Sequence, residues 1–451
     1  METSGSLYKT FRFFFKPTLY FLCSLAFLML LVSPHFAIAL ESTFVTIGNY
    51  QNVEVAKGEF LVRFVPELMP DLRPLVLFSL GLEEAVYYSD ANYSKITMTD
   101  VNITNHDMED RYLDLTYNPY VEHVEYNLVM KSAAEPLIPV DESGALPLDP
   151  QMVDLSPPSP PDEGTLVIAM LGTGIAYRYH QEGDKTYLQA PNLAHVSFVE
   201  GYDFINGDAL ALDDDGRGTF EAGVLVEAIE SYQDMANLDF DYAIMPVKVL
   251  DEDGEGTVDS LTGGIRYQAV SKSIIIQIDG IYPSHAPASN FMEESILNAY
   301  DDGCVIIGAA GNDGMAVVSR PSANDLILSV GAANFLGERA DYSNYGDALD
   351  FLAIGGAFTD ADQDGFPDAM IQLSFDEGDT SIKYFLGLGT SLAAAQVSAL
   401  STCLIAGGVD NTHIKNVIAT ACDHPAGSGV WDAAYGYGLI NPQNALAELL
   451  D

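Results

Sequence analysis

Basic side chains are scarce. Lysine and arginine number 19 against 65 aspartates and glutamates, for a formal charge of −46 over 451 residues. Such a surface repels nucleic acid and anionic membranes and excludes both as partners. It is read first as the solvated face of a soluble exported protein, suited to salt or divalent cations. Cysteine is nearly as sparse, at four residues. No Cys-x-x-Cys or His-rich pattern suggests zinc. If the N-terminal segment described next is removed, Cys23 leaves with it. Cys304, Cys403 and Cys422 then remain, an odd number that excludes a disulfide framework while leaving room for one Cys403–Cys422 bond. Internal repeats are absent. Beyond the N-terminus no apolar run is long enough to cross a bilayer.

What is present begins with an export signal. Lys9, Arg12 and Lys16 precede an apolar run of 14 residues from Leu19 to Val32, and Ala37-Ile38-Ala39 offers a small-x-small cleavage site. The run is short for a membrane span, so residues 1–39 are expected to be a signal peptide cut near Leu40, an uncleaved anchor being the alternative. Secretion or the cell envelope is the expected location.

Residues 40–132 form one expected unit. Gly58-Glu-Phe-Leu-Val-Arg-Phe64 alternates as a strand does, and Tyr112–Tyr126 reads as helix then strand around Asn118-Pro119. Residues 133–162 are expected to be an extended, solvated linker; Ala134–Glu163 carries eight prolines. From 163 to 451 short apolar runs (166–170, 242–245, 273–276, 304–307) alternate with helical stretches (218–231, 258–270, 291–301, 391–406, 411–421). That alternation predicts a doubly wound parallel α/β domain, with functional residues beyond the carboxyl ends of its strands.

Several motifs then fall in one order. Gly389-Thr-Ser-Leu-Ala-Ala-Ala-Gln-Val397 places Ser391 at a helix start, where N–H groups and the helix dipole favour negative charge. Gly308-Ala-Ala-Gly-Asn-Asp-Gly314 comes before it. Pro191-Asn-Leu-Ala-His195, Gly201-Tyr-Asp-Phe204, Lys248–Thr257, Tyr342-Ser-Asn-Tyr-Gly346 and Gly436-Tyr-Gly-Leu-Ile-Asn441 accompany them. Together, over roughly residues 163–448, they resemble the subtilisin-like serine proteases (subtilases). The resemblance implies the subtilisin-like fold, with Ser391 as nucleophile and Asn312 as side-chain donor to the oxyanion. One departure is Ala395, where the family has proline. Residues 40–132 resemble the family's propeptide, an inhibitor and intramolecular chaperone, which makes this segment an expected partner of the chain's own cleft.

Two triad positions depart from the family. Gly172 stands where the resemblance calls for aspartate, in Val167-Ile-Ala-Met-Leu-Gly-Thr-Gly-Ile175. Arg217 stands at the histidine position, in Arg217-Gly-Thr-Phe-Glu-Ala-Gly223. Glycine has no carboxylate to orient a base, and a guanidinium stays protonated and accepts no proton. None of the eight histidines falls in this motif, and His180 and His195 read as surface or structural residues. Glu221 lies four residues beyond Arg217 on one helix face. It is a candidate base, as a glutamate is in the related sedolisin family, but the favoured expectation is that it pairs with Arg217. The family's substrate-strand element appears as Ile278-Asp279-Gly280, whose main chain remains able to pair with an extended peptide.

These departures predict a catalytically impaired pseudoprotease that binds peptide or protein in the old cleft and retains residues 40–132 unless another protease cuts the linker. The alternatives are an active serine endopeptidase with an unconventional base, and a calcium-dependent structural or adhesion protein of the envelope. A monomer is expected. Calcium is expected from Asp360-Ala-Asp362-Gln-Asp364-Gly-Phe366-Pro-Asp368, which places carboxylates at positions 1, 3, 5 and 9 of an EF-hand-like loop and the Phe366 carbonyl at 7. Position 12 is Ile371, so a bidentate ligand would come from elsewhere, with Asp376 and Glu377 as candidates.

Overall fold

The computed structural model describes residues 40–447 and 449, less 48–49, 90, 101, 141–161, 163, 184, 272, 361–366 and 376–380. The proposed signal segment lies outside the described residues.

Strand-forming residues between 42 and 132 fold into an antiparallel sheet of β1 (Ser42–Ile47), β2 (Tyr50–Phe64), β3 (Leu82–Tyr88), β4 (Tyr93–Met98) and β5 (Val121–Ser132). Helix α1 (Asn105–Thr116) starts in a reciprocal capping box, in which the Thr104 hydroxyl accepts from Asp107 N and the Asp107 carboxylate accepts from Thr104 N. Such a cap contributes about 1 kcal/mol. The helix-then-strand reading of this stretch holds, with the strand running six residues further.

From residue 164 the chain is doubly wound. Strand β7 (Leu166–Gly172) follows a short strand β6 (Ile138–Pro139) that belongs to a different sheet. Then come α2 (Arg217–Ala236), β8 (Tyr242–Lys248), β9 (Glu255–Thr257), α3 (Val258–Ser271), β10 (Ile275–Ile278), β11 (Gly280–Ile281) and α4 (Asn290–Asp301). Next are β12 (Val305–Ala309), β13 (Ile327–Ala333), β14 (Phe351–Ile354), β15 (Met370–Ser374), β16 (Lys383–Gly387), α5 (Thr390–Ala406) and α6 (Ile414–Ala421). The central sheet runs β8–β7–β10–β12–β13–β14, all parallel, with two short strands on the outer edge of β8. Along β7, Ile168 and Met170 enter one core while Val167, Ala169 and Leu171 enter the other. Both faces are covered, which is why the strand reads as an unbroken apolar run.

Helix α5 is buried on nearly every side, as its all-round apolar sequence requires. It packs most closely against α2 on one face of the sheet. Small residues Ala393, Ala394 and Ala395 are all buried there. On the opposite face α3 and α4 share a core with residues 45–130. Asp259, in the first turn of α3, ties the two layers. It accepts from Tyr88 (3.0 Å) and Tyr93 (3.4 Å), and pairs with Lys95 at 3.1 Å.

The cysteines differ from one expectation. Cys304, Cys403 and Cys422 are all buried free thiols, so no Cys403–Cys422 bond forms. Cys403 lies on α5, buried in the core, and burial pushes each of the three thiols up to about 12.

Candidate active site

Ser391 is the second residue of α5, whose entry needs glycine. Gly389 has φ +146°, and a Cβ there would lie 2.9 Å from Ala133 O and 3.2 Å from Ala134 Cα. Those atoms belong to the segment that follows β5. Contrary to the expectation of a solvated linker, residues 133–140 lie in the cleft. The reason is main-chain pairing. β5 is flanked by β9 and β11 in antiparallel register, Lys131 opposite both Glu255 and Ile281. The chain beyond it continues as an extended peptide.

Ser132 N donates to Gly254 O at 2.8 Å, and Ala133 N donates both to Asp279 O (3.2 Å) and to Asp279 Oδ1 (2.8 Å). Glu135 N donates to Leu388 O at 3.1 Å, Val140 N to Tyr384 O at 3.0 Å, and β6 pairs with β16. The seven residues after Ala133 therefore run along the strand that leads into Ser391.

Asn312 is tied to the start of α5. Its Oδ1 accepts from Thr390 N (3.1 Å) and Thr390 Oγ1 (2.9 Å), which turns Nδ2 toward the cleft. Nδ2 donates to Ala133 O at 2.6 Å. The Ala133–Ala134 bond thus presents its carbonyl to the donor expected to stabilise a tetrahedral oxyanion.

Arg217 opens α2, and the expected Arg217–Glu221 pair does not form. Arg217 Nη1 binds Asp215 at 2.7 Å. The guanidinium lies against Gly254, where a Cβ would fall 2.2 Å from Nη1 and 3.4 Å from Ser132 Cβ. The Gly216 N-cap, at φ +106°, lets the chain double back so that Asp215 reaches Arg217 locally. Burial pushes Asp215 up to about 7 despite that cation.

Glu221 points inward instead, 2 % exposed. Gln277 Nε2 donates to its Oε2 at 3.3 Å. Ser391 Oγ and Glu221 Oε1 are each buried without a hydrogen-bond partner. Burial first, then the Asp279 charge, raises Glu221 well above the ordinary carboxylate range, and the Ser391 hydroxyl lowers it.

The helix carrying Glu221 is fixed at its start. Asp213 accepts from Thr173 Oγ1 (2.9 Å), Gly216 N (3.0 Å) and Thr219 N (2.8 Å), and Thr173 Oγ1 accepts from Gly218 N at 3.0 Å. These bonds satisfy N–H groups that a helix start leaves open. Below them Lys248 is buried, bound to Thr173 O and Asp214 Oδ1, each at 2.6 Å.

Gly172 ends β7 beside β10, with Leu171 in register with Ile278. A Cβ at 172 would sit 3.6 Å from Asp279 Cβ and 3.8 Å from its Oδ2. Asp279 therefore occupies the ground next to the vacated aspartate position. Sequence reasoning read 278–280 only for its main chain and missed this carboxylate. The signal was available: β7 and β10 are parallel neighbours, so their carboxyl ends meet.

His180 and His195 stay apart from this chemistry. His195 pairs with Glu230 at 2.6 Å, and His180 stands near Tyr187. Of the expected calcium loop, Asp362, Asp364 and Phe366 lie outside the described residues, as do Asp376 and Glu377. Asp360 is exposed and Asp368 buried. Among the described residues no group of three or more His, Cys, Asp or Glu is placed to hold an ion. No helix among them is long and apolar enough to cross a membrane.

Comparison with known proteins agrees with this geometry. The chain is 25 % identical over 398 residues to a thermophilic serine proteinase of Bacillus sp. (strain AK1), covering 88 % of this chain and 89 % of that one. Among solved structures it is similar to fervidolysin of Fervidobacterium pennivorans, a keratinolytic enzyme related to subtilisin (TM-score 0.63, 16 % identity, 91 % of this chain and 64 % of that one). It is also similar to the epidermin leader peptide processing serine protease of Staphylococcus aureus (TM-score 0.58, 15 % identity, 86 % and 98 %). Residues 163–438 match the subtilase family, peptidase S8, and the chain belongs to that family.

Proposed function

We propose that this chain is a serine endopeptidase acting on extended polypeptide, with Ser391 as nucleophile, Glu221 as its base and Asn312 as the oxyanion donor. The observation that carries the reading is the docking of the chain's own Ala133 carbonyl on Asn312, 2.6 Å away, in a site where the Ser391 hydroxyl and one Glu221 carboxyl oxygen are both buried without a partner. A carboxyl raised toward neutrality is a stronger base than a solvated one, so the missing histidine does not by itself end catalysis. Arg217, bound to Asp215, takes no proton. This reading reverses the order of the two expectations drawn from the triad positions.

On this reading residues 40–132 are a propeptide-like inhibitor held in cis, and Ala133–Ala134 is the bond cut first. The test is expression of residues 40–451 as wild type and as Ser391→Ala, followed by intact mass and fluorophosphonate labelling. A wild type that is cut after Ala133 and labelled at Ser391, neither occurring in the variant, supports the reading. An uncut, unlabelled wild type returns the chain to the pseudoprotease reading, for which the same cleft is a peptide-binding groove. The resemblance of its relatives supports export, with residues 1–39 as the signal. Calcium in the loop 360–368 rests on ligand spacing and on the family's habit of binding structural calcium, and no catalytic step uses it.

A further inference from the structure

Residues 134–140 do not leave the molecule once they are past Asn312. Ala134 pairs with Gly389, and the chain then runs antiparallel to β16 as far as Val140. Glu135 N donates to Leu388 O at 3.1 Å and Val140 N to Tyr384 O at 3.0 Å. Between them Ile138 faces Leu386 and Pro139 faces Phe385. Among the described residues β16 pairs with β15 on one edge and with β6 on the other. The segment is therefore the third strand of that sheet. Without it β16 presents an open edge, and an open edge is a template for an extended chain.

One side chain anchors the added strand. Leu137 is half-buried against the core that α2 and α5 share. Ile138 and Val140 are 42 % and 47 % exposed. The strand beneath is firmly seated. Phe385 is fully buried, and Gly387 admits the Phe220 ring, 2.6 Å from where a Cβ would lie. Pro139 fits for a positional reason. Val140 N faces β16, so the nitrogen of Pro139 faces away, where an outermost strand can spare its donor. The edge thus reads main chain at most positions and reads a side chain at Leu137.

We propose that the outer edge of β16 is a strand-addition site for the polypeptide being cut, reaching the seventh residue after the scissile bond and selecting an apolar side chain at the fourth. This rests on the serine endopeptidase reading above and gives it a substrate class. The substrates are unfolded or extended chains with at least seven residues beyond the cut, not short peptides. In the uncut chain residues 134–140 occupy the site in cis. After the cut they remain as a new N-terminal strand that a substrate displaces. The Leu137 seat lies away from the reacting atoms, so it acts by binding and positioning.

The experiment has two arms. In the first, intact mass follows cutting after Ala133 in the 40–451 chain for wild type, Leu137→Asp, Leu137→Met, Ile138→Asp and Val140→Pro. Leu137→Asp loses the apolar seat and is expected to cut roughly tenfold more slowly. Val140→Pro loses one main-chain donor and is expected to cut about fivefold more slowly. Leu137→Met keeps the seat, and Ile138→Asp adds the same charge on the exposed side, so both are expected to stay within about threefold of wild type. If Leu137→Asp does not fold, Leu137→Ala is compared with Ile138→Asp in its place. In the second arm the self-cut chain is given a library of peptides with known C-termini. Its cut sites are expected to carry Leu, Ile, Met, Val or Phe at the fourth residue after the cut and to avoid the last six residues of each peptide. A Leu137→Asp chain that cuts as fast as Ile138→Asp overturns the proposal and leaves the endopeptidase reading standing. Library cuts that crowd the C-termini with no apolar enrichment at the fourth residue do the same. A wild type that neither cuts nor labels overturns the endopeptidase reading and this proposal with it.

Discussion

Asn312 Nδ2 stands 2.6 Å from the carbonyl oxygen of Ala133, a residue 179 positions earlier in the chain. Thr390 sets that contact by binding the other end of the same amide through both its N–H and its hydroxyl. The start of the helix that carries Ser391 and the Asn312 amide are thereby tied together. Asn312→Ala is expected to slow cutting after Ala133 by roughly 10²–10³-fold, a magnitude measured for such a donor in subtilisin and carried over to this chain. Thr390→Val, which keeps the N–H and loses the hydroxyl, is expected to fall between Asn312→Ala and wild type. Intact-mass time courses at one pH give both values.

Gly172 is small for a reason that a substitution exposes. Gly172→Asp restores the family's residue at that position and adds a third carboxyl next to Asp279 and Glu221, since the new Cβ would sit 3.6 Å from Asp279 Cβ. Like charges in a buried site repel, and the site holds no histidine for the added carboxylate to orient. The expected outcome is a lower melting temperature above neutral pH and no gain in self-cutting. A Gly172→Asp chain more active than wild type would contradict the arrangement of charges drawn here.

The sequence singled out Ser391 and Asn312 because each sits in a local motif, a helix start and a Gly-rich turn, and the structure brings the two segments together through Thr390. It reached Glu221 through helical spacing but chose Arg217 as its partner. Asp215 won that partner because the Gly216 turn brings it closer than one helical turn does. Asp279 escaped because its meaning depends on register between β7 and β10, a non-local fact. The segment 133–140 escaped for a related reason. Its two prolines and two alanines carry little strand preference, and its main-chain bonds to Asp279, Leu388 and β16 hold it extended.

Lys248 offers a test of the scaffold apart from the chemistry. Its ammonium is 1 % exposed and bound to Asp214 Oδ1 and Thr173 O, both at 2.6 Å. Removing one partner of a buried ion pair leaves the other charge uncompensated, at a cost of about 3–5 kcal/mol. Lys248→Met is expected to lower stability by that order, measured by urea unfolding of the Ser391→Ala chain. A loss under about 1 kcal/mol would mean that water reaches Asp214 when the lysine is gone.

The pH dependence of stability follows from carboxyls that burial raises: Glu221, Asp279 and Asp215, the last to about 7, together with Asp203, Asp251 and Asp350. In the unfolded chain each titrates near the ordinary carboxylate range of about 4. Between about pH 4 and 7 the folded state then binds more protons than the unfolded state, so stability falls as pH rises through that window. The Ser391→Ala chain removes self-digestion and is expected to melt higher at pH 5 than at pH 7. General charge repulsion at −46 has the same sign. A second variant separates the two effects. Adding Asp215→Asn and Asp279→Asn removes two raised carboxyls but changes the net charge by only two. It is expected to flatten the slope between pH 5 and 7 measurably. An unchanged slope would assign the effect to the surface and not to the site.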